Sequence, residues 1–196
     1  MELVVATGNQ NKLAEIRRIL GDDSRWILKS LNDVGFCGDE PAETESDFEG
    51  NALLKARYYQ SKLGGIVIAD DSGIECDDLD GYPGVHSARI GNDDSHRRQV
   101  LLTHLKDVVP DKNEYAARFR CVIAIIASGF EHTFSGSCEG HVKEQEKGIN
   151  GFGYDPIFYL SDGRSLAEYS QDEKNNISHR GRALDKLKVF LNNLGK

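Results

Sequence analysis

Three features of the sequence predict an α/β protein built on a long mixed β-sheet with flanking helices. Strand and helix patterns alternate from Glu2 to Ala69, which favours parallel strands joined by helical crossovers. Two long strand patterns, residues 116–127 and 132–142, are joined by a turn at Ser128 and Gly129, a hairpin signal that adds an antiparallel part. A final helix pattern closes the chain.

Taken in order, "ELVVA" at residues 2–6 reads as a short apolar strand, and the polar turn "TGNQNK" follows it. Leu13, Ile16, Ile19 and Leu20 then recur at helical spacing up to Gly21. A weaker strand signal covers residues 26–31, before an acidic turn that carries Asp39, Glu40, Glu43, Glu45 and Asp47. Phe48, Ala52, Ala56, Tyr59 and Leu63 form the stripe of a second helix, stopped by Gly64 and Gly65. Residues 66–69, "IVIA", are continuously apolar, as in a strand covered on both faces. The segment "DGYPGVHSARI" is expected to be a structured loop, and residues 98–108 a helix. After the hairpin, "GINGFGYDPIF" is a glycine-rich loop entering a short strand at 157–160. Ala183, Leu184, Leu187, Phe190, Leu191 and Leu194 mark the last helix.

The composition is that of an ordinary globular chain: 196 residues, 39% apolar and 29% charged, without a linker-like stretch, so one domain over residues 1–196 is expected. The longest apolar run, "CVIAIIA", is too short to span a bilayer, and "MELVVATGN" lacks the pattern of a signal peptide. Cys37, Cys76, Cys121 and Cys138 are widely spaced without a zinc pattern and read as reduced thiols, so a cytoplasmic setting is expected. A formal net charge of −8 repels a nucleic-acid backbone and argues against a broad nucleic-acid-binding face.

Several stretches carry chemistry. Asp70 and Asp71 follow the apolar run "IVIA" directly, which sets two carboxylates at the exit of a buried strand. Burying an unpaired carboxylate costs several kcal/mol, so a cation is a natural companion. Strand alternation points the two side chains to opposite faces, one as a structural acid and one as a catalytic acid. Magnesium, which takes carboxylate, water and phosphate oxygens, suits this pair with help from the acidic turn; the alternative is a turn that holds nothing. Thr7–Lys12 lies between strand and helix, where backbone N–H groups favour an anion. Lys12 opposes the helix dipole there, unless it faces a phosphate or simply lies on the surface. Lys55 sits at the edge of the small-residue stripe and points either to solvent or into a cleft. "GFGYDP" offers an aromatic platform between glycines, or else a tight turn with a buried anchor. Lys174, His179 and Arg180 gather hydrogen-bond donors before the last helix.

In order along the chain, "ATGNQNKLAEI", "FEGNALLKAR", "ADDSGI", "PGVHSAR", "FRCVIA", "GFGYDPIF" and "KNNISHRGRA" together resemble the inosine triphosphate pyrophosphatase family. The likeness runs from Leu3 to the final helix. It implies two lobes around a central nucleotide-binding cleft, a homodimer, a magnesium requirement, and hydrolysis of dITP, ITP and XTP to the monophosphate and pyrophosphate. It assigns the triphosphate to Thr7, Gly8, Asn9, Gln10, Asn11, Lys12 and Lys55, and the catalytic, metal-binding acid to Asp71, with Asp70 beside it and Ser72 touching substrate. Glu43 aligns as the further metal ligand, with Glu40 and Glu45 as alternatives. Phe152, Gly153, Tyr154, Asp155, Lys174, His179 and Arg180 fall on the family's base-recognition positions. One departure is Asn150–Gly151, where the family has a glycine pair. A pyrophosphatase for other modified or pyrimidine nucleotides, and a nucleotide-binding module without turnover, are the competing readings.

Overall fold

The computed structural model describes residues 1–21 and 25–194. Its strands are β1 (Glu2–Val5), β2 (Ile27–Ser30), β3 (Ile66–Cys76), β4 (Tyr115–Ala127), β5 (Phe130–Val142) and β6 (Phe158–Tyr159). Its α-helices are α1 (Gln10–Leu20), α2 (Phe48–Leu63), α3 (Asp94–Val108), α4 (Gln171–Ile177) and α5 (His179–Asn193). The strands form one six-stranded sheet in the order β2-β1-β3-β4-β5-β6. β1 lies parallel to both β2 and β3, whereas β5 and β6 pair antiparallel, so the sheet is mixed as the sequence predicts. Parallel neighbours need crossover connections, and α1 and α2 supply the helices of those connections.

Contacts cluster into two compact units. Unit 1 comprises Met1–Asp71, Cys121–Gly136 and Arg180–Lys196, and unit 2 comprises Ser72–Arg120 and Ser137–His179. The core of unit 1 is built from Leu3, Val5, Ile16, Ile68, Ile123 and Leu187, with the only tryptophan of the chain, Trp26, buried among them. Unit 2 buries Ile74, Leu101, Leu105, Tyr115, Phe119 and Phe158.

Local chemistry sets the boundaries. Asn9 caps α1, its Oδ1 accepting from Asn11 N at 2.9 Å and Lys12 N at 3.2 Å. Asp47 caps α2 through Gly50 N at 2.7 Å, and Gly64 and Gly65 end it at φ +68° and +66°, values that L side chains rarely adopt. α3 starts at Asp94 rather than near residue 98, because Asp93 Oδ1 caps it through His96 N at 2.8 Å. Apolar spacing, which first appears at Val100, could not reveal that turn. α4 was not anticipated, although Ser170 and Glu173 form a reciprocal capping box and S-x-x-E stands in the sequence. β6 is shorter than the expected strand at 157–160. All four cysteines are free, and no helix among the described residues is long and apolar enough to cross a membrane.

The largest correction concerns β3. The sequence ends this strand at Ala69, with the aspartates at its exit; the observed strand runs on through Asp70 and Asp71 to Cys76. Buried carboxylates interrupt a strand only when nothing compensates them, and here cations on neighbouring elements do.

Candidate active site

In unit 1, β3 carries Asp70 and Asp71 at 3% and 5% exposure, and alternation along the strand gives them different partners. Asp70 Oδ2 lies 3.0 Å from Lys12 Nζ. It also accepts from Arg180 Nε and Nη2, each at 3.4 Å. Arg180 is itself buried and bonds through Nη1 to Glu15, an acid on the covered face of α1. Lys12 and Arg180 thus face Asp70, and Arg180 also reaches Glu15. Burial opposes the charge on Asp70, but Lys12 and Arg180 outweigh it and hold the carboxyl well below the usual carboxylate range.

Asp71 has a different environment. Its Oδ1 is 3.2 Å from Lys55 Nζ, and the same ammonium lies 2.6 Å from Glu43 Oε1. Two carboxylates share one cation, and the Asp71 Oδ2 atom is buried without a hydrogen-bond partner. Burial, then repulsion from Glu43 and Asp70, pushes the Asp71 carboxyl up despite Lys55. Burial works against the charge on Lys55, yet Asp71, Asp70 and Glu43 together raise it. Both partners of this pair shift upward for different reasons: Lys55 because several acids face it, and Asp71 because burial outweighs the one ammonium beside it.

Among the described residues no group of three or more histidine, cysteine, aspartate or glutamate side chains gathers as a ligand cage. Two neighbouring acids, one with a buried oxygen that lacks a hydrogen-bond partner, fit magnesium, which keeps waters and takes one or two carboxylates alongside substrate phosphates. Asp71 and Glu43 form that pair. Asp70 faces the two cations Lys12 and Arg180, and its Oδ1, like Oδ2 of Asp71, is buried without a hydrogen-bond partner. The other two glutamates of the acidic turn make different contacts. Glu40 rests against Gly8, where an added Cβ would fall 2.1 Å from its Oε1. The backbone of Glu45 is pinned by Asn51, with Glu45 N donating to Asn51 Oδ1 at 3.0 Å and Asn51 Nδ2 to Glu45 O at 3.3 Å.

The turn at Thr7–Lys12 is well ordered by its own bonds. Thr7 Oγ1 accepts from Asn9 N at 3.2 Å, and Asn9 takes the amides of Asn11 and Lys12. The ammonium of Lys12, an oddity in a first helical turn, is explained in this structure by Asp70. Gly8, Asn9, Gln10 and Asn11 are exposed, with Thr7 and Lys12 partly covered.

Unit 2 holds the other predicted set. Asp155 Oδ2 accepts from Phe152 N at 2.8 Å and from Lys174 Nζ at 2.6 Å, and that ammonium lies 4.8 Å from the centroid of the half-buried Phe152 ring. Tyr154 is buried, its hydroxyl donating to Ser87 O at 2.7 Å. Gly153 is held by Asp94 and Arg98, and His179 stacks on Phe119 at 4.7 Å with 12° between the planes. Ser72 follows Asp71 in β3 and is half-buried.

The structure therefore regroups one assignment. Arg180, expected with Lys174 and His179 in base recognition, has Glu15 and Asp70 as partners. Glu15, Asn51, Asp94 and Arg98 were not singled out in the sequence. Glu15 had a signal, an acid beside the apolar stripe of α1; Asn51 had one too, a polar residue next to Ala52 in a small-residue stripe.

The description "Ham1 family" matches residues 3–190 of the chain. The dITP/XTP pyrophosphatase of Bacillus licheniformis is 43% identical over 193 residues, which cover 97% of each chain. A Ham1 protein from Coxiella burnetii superposes with a TM-score of 0.88 at 36% identity, over 98% of this chain and 99% of that one. A structure described as nucleoside-triphosphatase / dITP/XTP pyrophosphatase from Mycobacterium abscessus gives a TM-score of 0.75 at 41% identity, over 95% and 98%.

Proposed function

The chain belongs to the Ham1 family, and from that premise we propose that it hydrolyses dITP, ITP and XTP to the monophosphate and pyrophosphate. The observation that carries this reading is the buried Asp71, one oxygen orphaned, sharing Lys55 with Glu43. The curated relatives carry the name dITP/XTP pyrophosphatase, and the chain covers them almost end to end.

Magnesium is the cation we assign, with Asp71 and Glu43 as its protein ligands; when bound it offsets triphosphate charge and favours attack at phosphorus. Asp71 orients the attacking water and takes its proton. The oxygen bonds to the α-phosphorus while the bond to the bridging oxygen breaks, so that pyrophosphate leaves. Lys12 and Lys55 offset the charge that accumulates on the leaving group. The turn at Thr7–Lys12 holds the phosphates, and Ser72 contacts substrate.

For the base, the half-buried Phe152 ring offers a stacking face. Lys174 and His179 donate to the 6-oxo group of hypoxanthine or xanthine, while adenine would meet them with an amino group. Such a site separates the two classes by about 10⁴–10⁵. Asp155 fixes Lys174, and the bonds of Arg180 favour an anchoring role on Asp70 over direct base contact. A cytoplasmic homodimer is the proposed state; the resemblance supports the dimer, and four free thiols support the compartment.

The test is pyrophosphate release over a panel of nucleoside triphosphates, with and without magnesium. ITP, dITP and XTP should be cleaved rapidly and ATP and the pyrimidine nucleotides poorly, all in a metal-dependent way; GTP shares the 6-oxo group, so its poor cleavage rests on its 2-amino group lacking an acceptor or room. Equal kcat/KM for ATP and ITP would overturn the donor reading.

A further inference from the structure

Helix α3 reaches the predicted base-recognition loop with two side chains. Gly153 N donates to Asp94 Oδ2 at 2.8 Å, and Gly153 O accepts from Arg98 Nη1 at 2.9 Å. Asp94 and Arg98 are four residues apart, hence on one face of the helix. Asp93, not Asp94, caps α3, which leaves the Asp94 carboxylate to serve the loop and Arg97. Arg98 is itself fixed, its Nε and Nη2 gripping Glu146 at 2.8 and 3.0 Å with the side chain only 12% exposed. A planar guanidinium can serve a carboxylate and a carbonyl together; an ammonium cannot hold that geometry. Gly153 has φ +64°, so both its backbone groups are aimed by a conformation that most residues avoid.

We propose that Asp94 and Arg98 are positioning residues that clamp both backbone groups of Gly153 and thereby hold Phe152 in the pose that receives the purine. The inference rests on the reading that residues 152–155 meet the base. Neither residue touches the substrate; each acts through Gly153. Because the clamp lies in unit 2, and Lys12, Lys55 and Asp71, assigned to the phosphates and the chemistry, lie in unit 1, its loss weakens binding of the base and leaves the chemical step alone. Loss of uniform binding appears as a raised KM with kcat little changed.

The experiment compares D94A, D94N, R98M, R98K and F152A by steady-state hydrolysis of ITP and by inhibition with IMP and with pyrophosphate. D94A and R98M should each raise the KM for ITP and the inhibition constant for IMP by about 10-fold, the scale of a lost charge-assisted hydrogen bond. Their kcat and pyrophosphate inhibition should stay within about 3-fold of the parent. D94N should recover most of the loss, since its amide oxygen still accepts from Gly153 N, whereas R98K should not recover. A fall in melting temperature with unchanged KM and IMP inhibition in D94A and R98M would overturn the clamp. F152A separates the two layers. An unchanged KM for ITP in F152A removes the base reading of the loop, and a raised KM there beside unchanged D94A and R98M removes the clamp alone. If D94A or R98M does not fold, exchange of the Gly153 amide by NMR in D94N and R98K decides. Faster exchange in R98K than in D94N supports the clamp, and equal exchange overturns it.

Discussion

Replacing Arg180 with methionine should be among the most destabilising single changes in this protein. The guanidinium is 2% exposed and bonds to Glu15 and to Asp70, which are 5% and 3% exposed. Removing it takes a guanidinium partner from both buried carboxylates, while Lys12 still lies beside Asp70. Breaking a buried pair from one side costs about 3–5 kcal/mol, because the remaining charge is stranded. For a chain of this size about 1 kcal/mol lowers Tm by 2–4 °C, so R180M should melt roughly 6–20 °C early. Neutralising Glu15 as well, in E15Q/R180M, should recover about half of that, a coupling visible in a double-mutant cycle. Acid titration adds a second readout. Burial raises the Asp70 carboxyl, and Lys12 and then Arg180 more than reverse this, so the folded value lies below the ordinary 3.8. A depressed folded value gives stability that is present above the unfolded value and lost as pH falls through the folded one. The parent protein should therefore hold this contribution at neutral pH and lose it below 3.8, with a shallower acid-side loss in R180M. Urea denaturation across that range checks both statements. A cost for R180M below about 1 kcal/mol, with no coupling to E15Q, would refute the account of a buried network.

Other outcomes follow from the same geometry. D71N should lower kcat at least ~100-fold with magnesium saturating, the scale of losing a positioned base, and near-parental turnover would remove Asp71 from that role. Chelation of divalent ions should abolish pyrophosphate release and added magnesium should restore it; full activity in excess chelator would exclude the assigned cation. N51A should cost about 1–3 kcal/mol, since both backbone groups of Glu45 lose their partner, and should raise the magnesium concentration needed for half-maximal rate; an unchanged metal requirement would detach the acidic turn from the site.

Much of this architecture was legible because hydrophobic spacing and punctuation agree. The stripe from Phe48 to Tyr59 and the stop at Gly64–Gly65 gave α2 its limits, and Ser128–Gly129 gave the hairpin turn. Membership of the family was legible too, since the ordered motifs pointed to nucleoside-triphosphate pyrophosphatases, as the curated relatives are named. What escaped was set by long-range pairing. Nothing near Asp70 in the chain announces that Arg180 will neutralise it, so the strand appeared to end where its acids began. Glu15 looked like a helix acid for the same reason, its partner lying 165 positions away. Asp94 was hidden by polarity: a helix whose first turn is charged offers no apolar spacing to read.

The buried indole of Trp26 has a practical use. As the sole tryptophan, packed within unit 1 and absent from unit 2, its emission is a private reporter of one half of the molecule. Five of the seven tyrosines, Tyr82, Tyr115, Tyr154, Tyr159 and Tyr169, belong to the other half. Tryptophan emission excited at its red edge, where tyrosine does not absorb, compared with tyrosine absorbance dominated by the other half, would reveal whether heat or denaturant melts both halves at one midpoint or in succession.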